Sequence, residues 1–355
     1  MTLGSLKSGL DSRAVGSWLS GEGPQGDIVI SSRIRLARNI SGIRFLSKTS
    51  QTEQKDIIKS VDNSLSQALI SHGRKLVEVE DLSSFETQFL LERHLLSPDF
   101  LKSKAKRGFF STVDESFSLM VNEEDHLRLQ MLGSGLCLDN LWDSMKRLDE
   151  RINSVIPFAF EDNYGFLTAC PTNVGTGMRA SILIHLPGVV LTKEIDRVLR
   201  GVLQLGLSVR GTYGEGTETK GHLFQISNQR TLGQSEEEII STLTKMASQL
   251  ITYENEAREY ILTKMKNFIE DKLYRSLGIL RYARMLTSDE VINLLSTLRF
   301  GIGILPNLTA GKLNKLMILT RPANLQFFFG AEFSTEQRDR KRAELIKRAL
   351  KNVEA

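Results

Sequence analysis

Five arginines stand beside glycines or short polar residues, a setting that suits the binding of phosphate groups. Arg33 and Arg35 are two apart in the β-like run 27–38, so they would share one face of a strand. Arginine presents paired N–H donors to phosphate oxygens. Any one of them alone would be read as a solvated or structural arginine, but five that converge predict a nucleoside triphosphate site. The remaining three are Arg128, Arg179 and Arg210.

Three further side chains could react. Glu124 lies in the acidic turn NEEDH, and Glu215 lies in a loop made flexible by Gly211, Gly214 and Gly216. Acidic loops are usually only solvated. Cys170 comes where a predicted strand gives way to a polar turn, and a lone cysteine is more often an inert small hydrophobe, although hydroxyls and arginines nearby favour a thiolate.

Common phosphate and metal signatures do not occur. There is no GxxxxGK[ST] and no kinase HRD or DFG triplet. Gly175, Gly177 and Ala180 satisfy G-x-G-x-x-A, but 179–186 is β-like where a dinucleotide fold needs a helix, so we reject that interpretation. Two cysteines and five histidines lack zinc spacing, so no metal site held by the protein is predicted.

Composition excludes several classes of protein. The 355 residues carry a formal charge of +4, which is too balanced for a polybasic nucleic-acid binder, and 41% hydrophobic residues are typical of a globular chain. The N-terminus lacks the apolar core of a signal peptide, and no segment is long and apolar enough for a membrane span. We therefore expect a cytoplasmic protein with reduced thiols, and neither nucleic acid nor a membrane as partner.

The pattern of elements predicts an α+β fold in two domains. Capping boxes at 50–53, 235–238 and 334–337 begin amphipathic helices. Between the first two, short apolar segments punctuated by glycine predict a mainly antiparallel sheet: 116–122, 166–170, 181–186, 207–211 and 223–227. The sequence pattern after about residue 260 predicts an almost wholly helical region. We predict a catalytic domain at 1–255 and an all-helical C-terminal domain at 256–355.

The motifs CPTNVGTG, NEEDHLR and RGTYGEGTE resemble the active-site motifs of the phosphagen (guanidino) kinases. SSRIRLARN and FQISNQRTLG make the chain most similar to the bacterial protein-arginine kinases, over nearly its whole length. This resemblance implies a phosphagen-kinase-like catalytic domain, ATP and Mg²⁺ as cofactors, and transfer of the γ-phosphate to arginine side chains of proteins.

The resemblance also implies residue roles. Glu124 and Glu215 match the catalytic pair, which orients the guanidinium and takes a proton, while Cys170 polarises it without a covalent intermediate. Tyr213 stands where arginine kinases have another arginine. The implied nucleotide site comprises Ser31, Ser32, Arg33, Ile34, Arg35, His94, Arg128, Arg179, Ala180, Ser181, Ile182, Leu183, Arg210, Gly211, Thr212, Tyr213, Gly214 and Glu215.

The C-terminal end matches the R-D-x-x-R-A motif of such kinases, and the resemblance implies that it binds phosphoarginine allosterically. Its residues are Arg338, Asp339, Arg340, Lys341, Arg342 and Ala343. Without the resemblance, this segment would be a solvated basic helix face. The family further implies protein substrates marked for Clp protease degradation under stress and a zinc-binding activator protein. A homo-oligomer through the helical domain is also expected.

Two other functions fit the same residues. The chain could phosphorylate free arginine or another small guanidino metabolite, although it lacks the helical domain that closes over the small substrate in the metabolite kinases, since Arg33 lies near its start. It could also be a non-catalytic adaptor that binds phosphoarginine proteins through 338–342. The intact Glu124, Glu215 and Cys170 argue against the adaptor.

Overall fold

The computed structural model describes residues 14–67, 75–211 and 220–353. Eight strands form one antiparallel sheet in the order β2-β3-β4-β5-β1-β8-β10-β9, and β6 pairs with β7 in a separate hairpin. The strands are β1 (Val29–Arg38), β2 (Val77–Glu78), β3 (Gly108–Ser111), β4 (Phe117–Val121), β5 (Leu127–Ser134), β6 (Phe160–Glu161), β7 (Gly165–Phe166), β8 (Met178–His185), β9 (Leu207–Gly211) and β10 (Leu223–Asn228).

Twelve α-helices accompany the sheet in the described chain. They are α1 (Gln51–Gln67), α2 (Ser84–Glu92), α3 (Pro98–Lys102), α4 (Leu138–Asn153), α5 (Pro187–Leu191), α6 (Ile195–Gln204), α7 (Glu236–Lys264), α8 (Lys266–Tyr282), α9 (Ser288–Phe300), α10 (Ala310–Leu319), α11 (Pro322–Phe329) and α12 (Thr335–Ala349). The three predicted capping boxes all form. The predicted α+β fold with a helical C-terminal region is confirmed.

The sheet has one apolar and one polar face. Helices α1, α4, α6 and α7 cover the apolar face, where Ile34, Ala180 and Ile182 are essentially inaccessible to water. Because side chains alternate along a strand, the neighbours of these residues point the other way. The polar face of β1 and β8 is therefore free to carry the arginines.

Apart from α11, whose Ala323 and Phe327 pack against α2, helices α8 to α12 pack around a second core. Trp18 and Leu223 from the sheet region belong to this core, so the two parts of the molecule share buried surface. The predicted domain boundary at residue 255 lies within α7, which continues to Lys264. The division into domains remains a prediction.

One predicted strand is shorter in the structure. The segment 166–170 was expected to be a strand, but β7 ends at Phe166. The Thr168 hydroxyl donates to the carbonyl of Cys170 at 2.8 Å, and the Ala169 amide donates to the Asp125 carboxylate at 2.6 Å. These bonds replace a strand ladder, and Pro171 begins a 3-10 turn directly after Cys170.

Candidate active site

A cavity of about 620 Å³ opens on the polar face of the sheet. Its walls contain all five arginines singled out in the sequence, together with His94, Glu124 and Cys170. The arginines come from four strands separated by up to 177 positions in the chain, since Arg33 lies in β1 and Arg210 in β9. The five arginines, which the sequence analysis would need to converge for a triphosphate site, therefore line one cavity.

Strand register explains this convergence. Arg35 lies opposite Arg179 of β8 on one side and opposite Gln130 of β5 on the other. Arg33 lies opposite Ser181, and its Nε donates to the Ser181 hydroxyl at 3.3 Å. Directly paired residues in an antiparallel sheet share a face. The central strand and its two neighbours thus present a continuous cationic surface.

The positive charges of Arg33, Arg35 and Arg179 are poorly compensated by acidic groups and hydrogen-bond acceptors of the protein. Removal from water, followed by the charges of Arg128, Arg179 and Arg210, lowers the pKa of Arg33 to about 9. The pKa values of Arg35 and Arg179 are lowered for the same reasons, burial first. Within the described residues, the buried Nε atoms of Arg35 and Arg179 find no acceptor. A polyanion would supply both the missing charge and the missing acceptors.

Carboxylates and the thiol lie together in the cavity. Glu124 is hydrogen bonded to Cys170, and the Cys170 Sγ lies 3.0 Å from the Thr172 hydroxyl. Desolvation, with the nearby charge of Asp125, raises the pKa of Glu124, whereas its bond to Cys170 lowers it. A carboxylate with a raised pKa is suited to accept a proton.

The acidic turn and the cysteine loop are held together by buried hydrogen bonds. The Asp125 carboxylate accepts from Asn39 Nδ2 at 2.6 Å and from the Ala169 amide at 2.6 Å, which fixes the backbone next to Cys170. Gly177 begins the return into β8 with φ +61°, where an added Cβ would lie 2.6 Å from the Ala37 carbonyl oxygen. Only glycine fits this approach of β8 to β1.

His94 lies in the cavity wall as a neutral ring. Burial, together with the charges of Arg321 and Arg33, lowers its pKa to about 3. Its backbone is left-handed, with φ +59°, and its carbonyl accepts from Gln130 Nε2 at 2.8 Å. The hydrogen bond from Gln130 of β5 thus holds the strained backbone at this position.

Some predicted nucleotide-site residues do not line the main cavity. Ile34, Ala180 and Ile182 point into the apolar core, and the Ser32 hydroxyl bonds to the Gly135 carbonyl at 2.8 Å. Ser31, Ser181 and Leu183 line a small adjoining cavity of about 30 Å³ that also reaches Arg33 and His94. Their roles in nucleotide binding remain predictions. Thr212, Tyr213, Gly214 and Glu215 lie outside the described residues, whereas Gly211 ends β9.

Sequence reasoning assigned no role to several residues that line the cavity. Gln130 lies two residues after Arg128 and Gln225 lies opposite Arg210, so strand alternation and register could have indicated them. Glu123 is ion paired with Arg128 and accepts from the Ser97 hydroxyl at 2.5 Å. Arg321 comes from the C-terminal helical region, and no sequence signal connects it to the sheet.

The C-terminal motif lies in α12 and is not uniformly exposed. Arg342 is buried, and its guanidinium donates to the carbonyls of Thr320 at 2.8 Å and Leu286 at 2.6 Å. Asp339 pairs with Arg342, and Ala343 is buried. Arg340 is exposed and Lys341 partly so. Arg338 is partly exposed and donates to the Phe333 carbonyl at 3.0 Å.

A divalent ion would fit this site only together with a nucleotide. Among the described residues, no group of three or more His, Cys, Asp or Glu side chains is arranged to hold a metal. Mg²⁺ commonly keeps several waters and binds substrate phosphates with one or two carboxylates. Glu123, whose carboxylate lines the cavity, is compatible with that role. In the described parts of the chain, no helix is both long and apolar enough to cross a membrane.

Comparison with protein families gives two adjacent matches. Residues 56–257 match the family described as ATP:guanido phosphotransferase, C-terminal catalytic domain. Residues 266–355 match the family described as Protein-arginine kinase McsB C-terminal domain. Together these two matches cover the helical region and most of the cavity lining, but not Arg33 and Arg35 of β1, which precede the first match.

Relatives named protein-arginine kinase are similar over nearly the whole chain. The protein from Desulforamulus reducens is 44% identical over 95% of this chain and 96% of its own length. The protein from Halothermothrix orenii is 43% identical over 98% of this chain and 99% of its own length. The protein from Brevibacillus brevis is 42% identical over 96% of this chain and 96% of its own length.

Solved structures share the fold. Lombricine kinase matches with a TM-score of 0.57 at 23% identity, over 69% of this chain and 72% of that one. The duplicated taurocyamine kinase from Schistosoma mansoni with bound transition state analog components matches with a TM-score of 0.55 at 28% identity, over 69% of this chain and 35% of that one. This chain belongs to the ATP:guanido phosphotransferase family and, within it, to the group of the protein-arginine kinases.

Proposed function

We propose that this protein transfers the γ-phosphate of ATP to arginine side chains of proteins. The observation that supports this most directly is the convergence of five guanidiniums with Glu124 and Cys170 in one cavity. The relatives named protein-arginine kinase, which match both the catalytic and the helical regions, support a protein acceptor.

The cavity has groups for each part of the reaction. Arg33, Arg35, Arg128, Arg179 and Arg210 would bind the phosphate chain, and Mg²⁺ bound with ATP would add further charge neutralisation there. Glu124, with Glu215 as its proposed partner, would hold the acceptor guanidinium, which has no lone pair until a proton leaves. The nitrogen then bonds to the γ-phosphorus as the bond to the bridging oxygen breaks. ADP departs, and the proton goes to a carboxylate.

The proposal is tested by mass spectrometry that preserves phosphorus-nitrogen bonds. The full chain is incubated with ATP, Mg²⁺ and either an arginine-rich protein or free arginine. We expect phosphoarginine on the protein, and none when Cys170→Ala and Glu124→Gln are combined. Labelling of free arginine alone would support the small-metabolite kinase instead, and binding of phosphoarginine proteins without transfer would support the adaptor.

We infer a wider role from the same resemblance. The modified proteins would be directed to a Clp unfoldase-protease in the stress response, with a zinc-binding activator protein and a homo-oligomeric kinase. The motif from Arg338 to Ala343 would bind phosphoarginine allosterically. The two free cysteines are compatible with a reducing cytoplasmic environment. The proteolytic role would be tested by measuring whether the modified proteins co-purify with the Clp subunits from stressed cells. Cells that carry the Glu124→Gln chain are the control.

A further inference from the structure

A sixth arginine faces the cavity from outside the sheet. Arg321 is the N-cap of α11, in the region that matches the C-terminal family, and its side chain lines the same cavity as the five strand arginines. Its charge acts on His94, as does the charge of Arg33. Arg321 and Arg33 thus both lie near His94 in the cavity wall.

The backbone that carries Arg321 is fixed to the catalytic region. The buried Glu92 carboxylate accepts from the backbone amides of Ala323 at 3.0 Å and Asn324 at 2.9 Å, and from Asn324 Nδ2 at 2.9 Å. Arg93 Nε donates to Asn324 Oδ1 at 2.7 Å. These bonds hold the first turn of α11 two residues beyond Arg321, and they join it to the residues that directly precede His94.

We propose that Arg321 binds the phosphate chain of the nucleotide, so that the C-terminal helical region completes the nucleotide site. Glu92 would be a positioning residue that acts through Arg321. Position and charge account for the choice of ligand: Arg321 lines the same cavity as five strand arginines, and a polyanion such as a phosphate chain can accept hydrogen bonds from several guanidiniums at once. Only the identity of the ligand rests on the proposed function.

Equilibrium binding of ADP with Mg²⁺ to the full chain, measured by isothermal titration calorimetry, tests this role without any acceptor. Arg321→Ala should weaken ADP binding about tenfold, and Arg321→Lys, which keeps the charge, should weaken it less. Arg275→Ala is the matched control, because Arg275 is an exposed arginine of α8 paired with Asp271. The melting temperature of each variant is measured in parallel, so that a loss of ADP affinity without a matching loss of stability is assigned to binding and not to folding. ADP affinity within twofold of the parent chain would overturn the inference.

A double-mutant cycle tests the positioning role of Glu92. Glu92→Gln should weaken ADP binding in the parent chain but have no further effect in the Arg321→Ala chain. If Glu92 had a purely structural role, Glu92→Gln would reduce ADP affinity equally in both chains. That result would overturn the positioning role of Glu92. The proposed function fails separately: bound ADP without any phosphoarginine product would count against it, whereas unchanged ADP binding with normal transfer counts only against Arg321.

Discussion

At the scale of single residues, the proposed chemistry depends on how the surroundings of Glu124, including Cys170, set the pKa of its carboxyl group. The carboxylate is partly removed from water and has Asp125 beside it, and both effects favour its protonated form. The bond to Cys170 favours the ionised form. The thiol therefore helps to keep the proposed base ready to accept a proton, in addition to any contact with the acceptor guanidinium.

Replacing Glu124 should separate catalysis from nucleotide binding. Glu124→Gln keeps the size of the side chain but removes the group that accepts the proton, so the rate of phosphoarginine formation should fall by about 10²-fold or more. ADP affinity should stay within twofold. Glu150→Gln on the exposed face of α4 is the matched control. Undiminished initial rates for Glu124→Gln would remove this residue from the mechanism.

The bond to Cys170 predicts a shift in the pH dependence. Glu124 must be ionised to accept a proton, and its pKa is raised, so kcat/KM should fall as the pH decreases through a value above that of an ordinary glutamate. Cys170→Ala removes an interaction that lowers this pKa, so the acidic limb should move to higher pH. Cys170→Ser, which keeps a donor, should move it less. An acidic limb that stays in place in Cys170→Ala would contradict this coupling.

At the scale of elements, β1 organises the site because it pairs with both β5 and β8. Alternation in the sequence correctly predicted that Arg33 and Arg35 share a face. It could not predict that Arg35 lies opposite Arg179, because that register is set between segments about 145 residues apart by the packing of β1 and β8 on the helices. Local sequence patterns therefore identified the strands. The cavity could not be predicted from them, because it forms only when the strands are assembled into the sheet.

The end of β1 is anchored to α4 by a buried ion pair. Arg38 bonds to Asp149 at 3.0 Å, and its guanidinium lies 3.5 Å above the ring of Phe166. Asp149→Ala would leave the buried Arg38 without its counterion, so the free energy of unfolding should fall by about 3 kcal/mol. Guanidinium chloride unfolding measures this, with Asp143→Ala on the exposed side of α4 as the control. Equal midpoints for the two variants would show that the pair contributes nothing.

At the scale of the whole molecule, the helical region contacts the catalytic region at several points outside the strands. Arg299 of α9 donates to the Gly26 carbonyl at 2.8 Å, and Glu92 binds the start of α11. The sequence predicted that this region would be helical, and helical periodicity was sufficient for that. No pattern in the sequence indicated that Arg321 would line the cavity, because contacts between distant helices and strands leave no local pattern.

Helix α12 also reaches this junction, since Arg342 binds the carbonyl of Thr320, the residue before Arg321. Arg342→Ala should therefore lower the free energy of unfolding by about 3 kcal/mol, because the buried carbonyls of Thr320 and Leu286 lose their donor. Arg340→Ala should change it by less than about 0.5 kcal/mol, since Arg340 is exposed and its ion pair, among the described residues, is with Glu336 one turn away on the same helix. Thermal and denaturant unfolding of both variants measure the difference.

The two variants should also differ as tests of the proposed phosphoarginine site. A loss of phosphoarginine binding in Arg342→Ala would be ambiguous, because its packing is lost as well. Arg340→Ala and Arg338→Ala keep the junction intact, so weaker binding of a phosphoarginine peptide by these chains would place the ligand on the outer face of α12. Unchanged peptide affinity in both, with normal stability, would rule out that face. The buried arginine and the exposed arginines of one short motif thus have separable roles, the first in holding α12 against the residue that precedes Arg321.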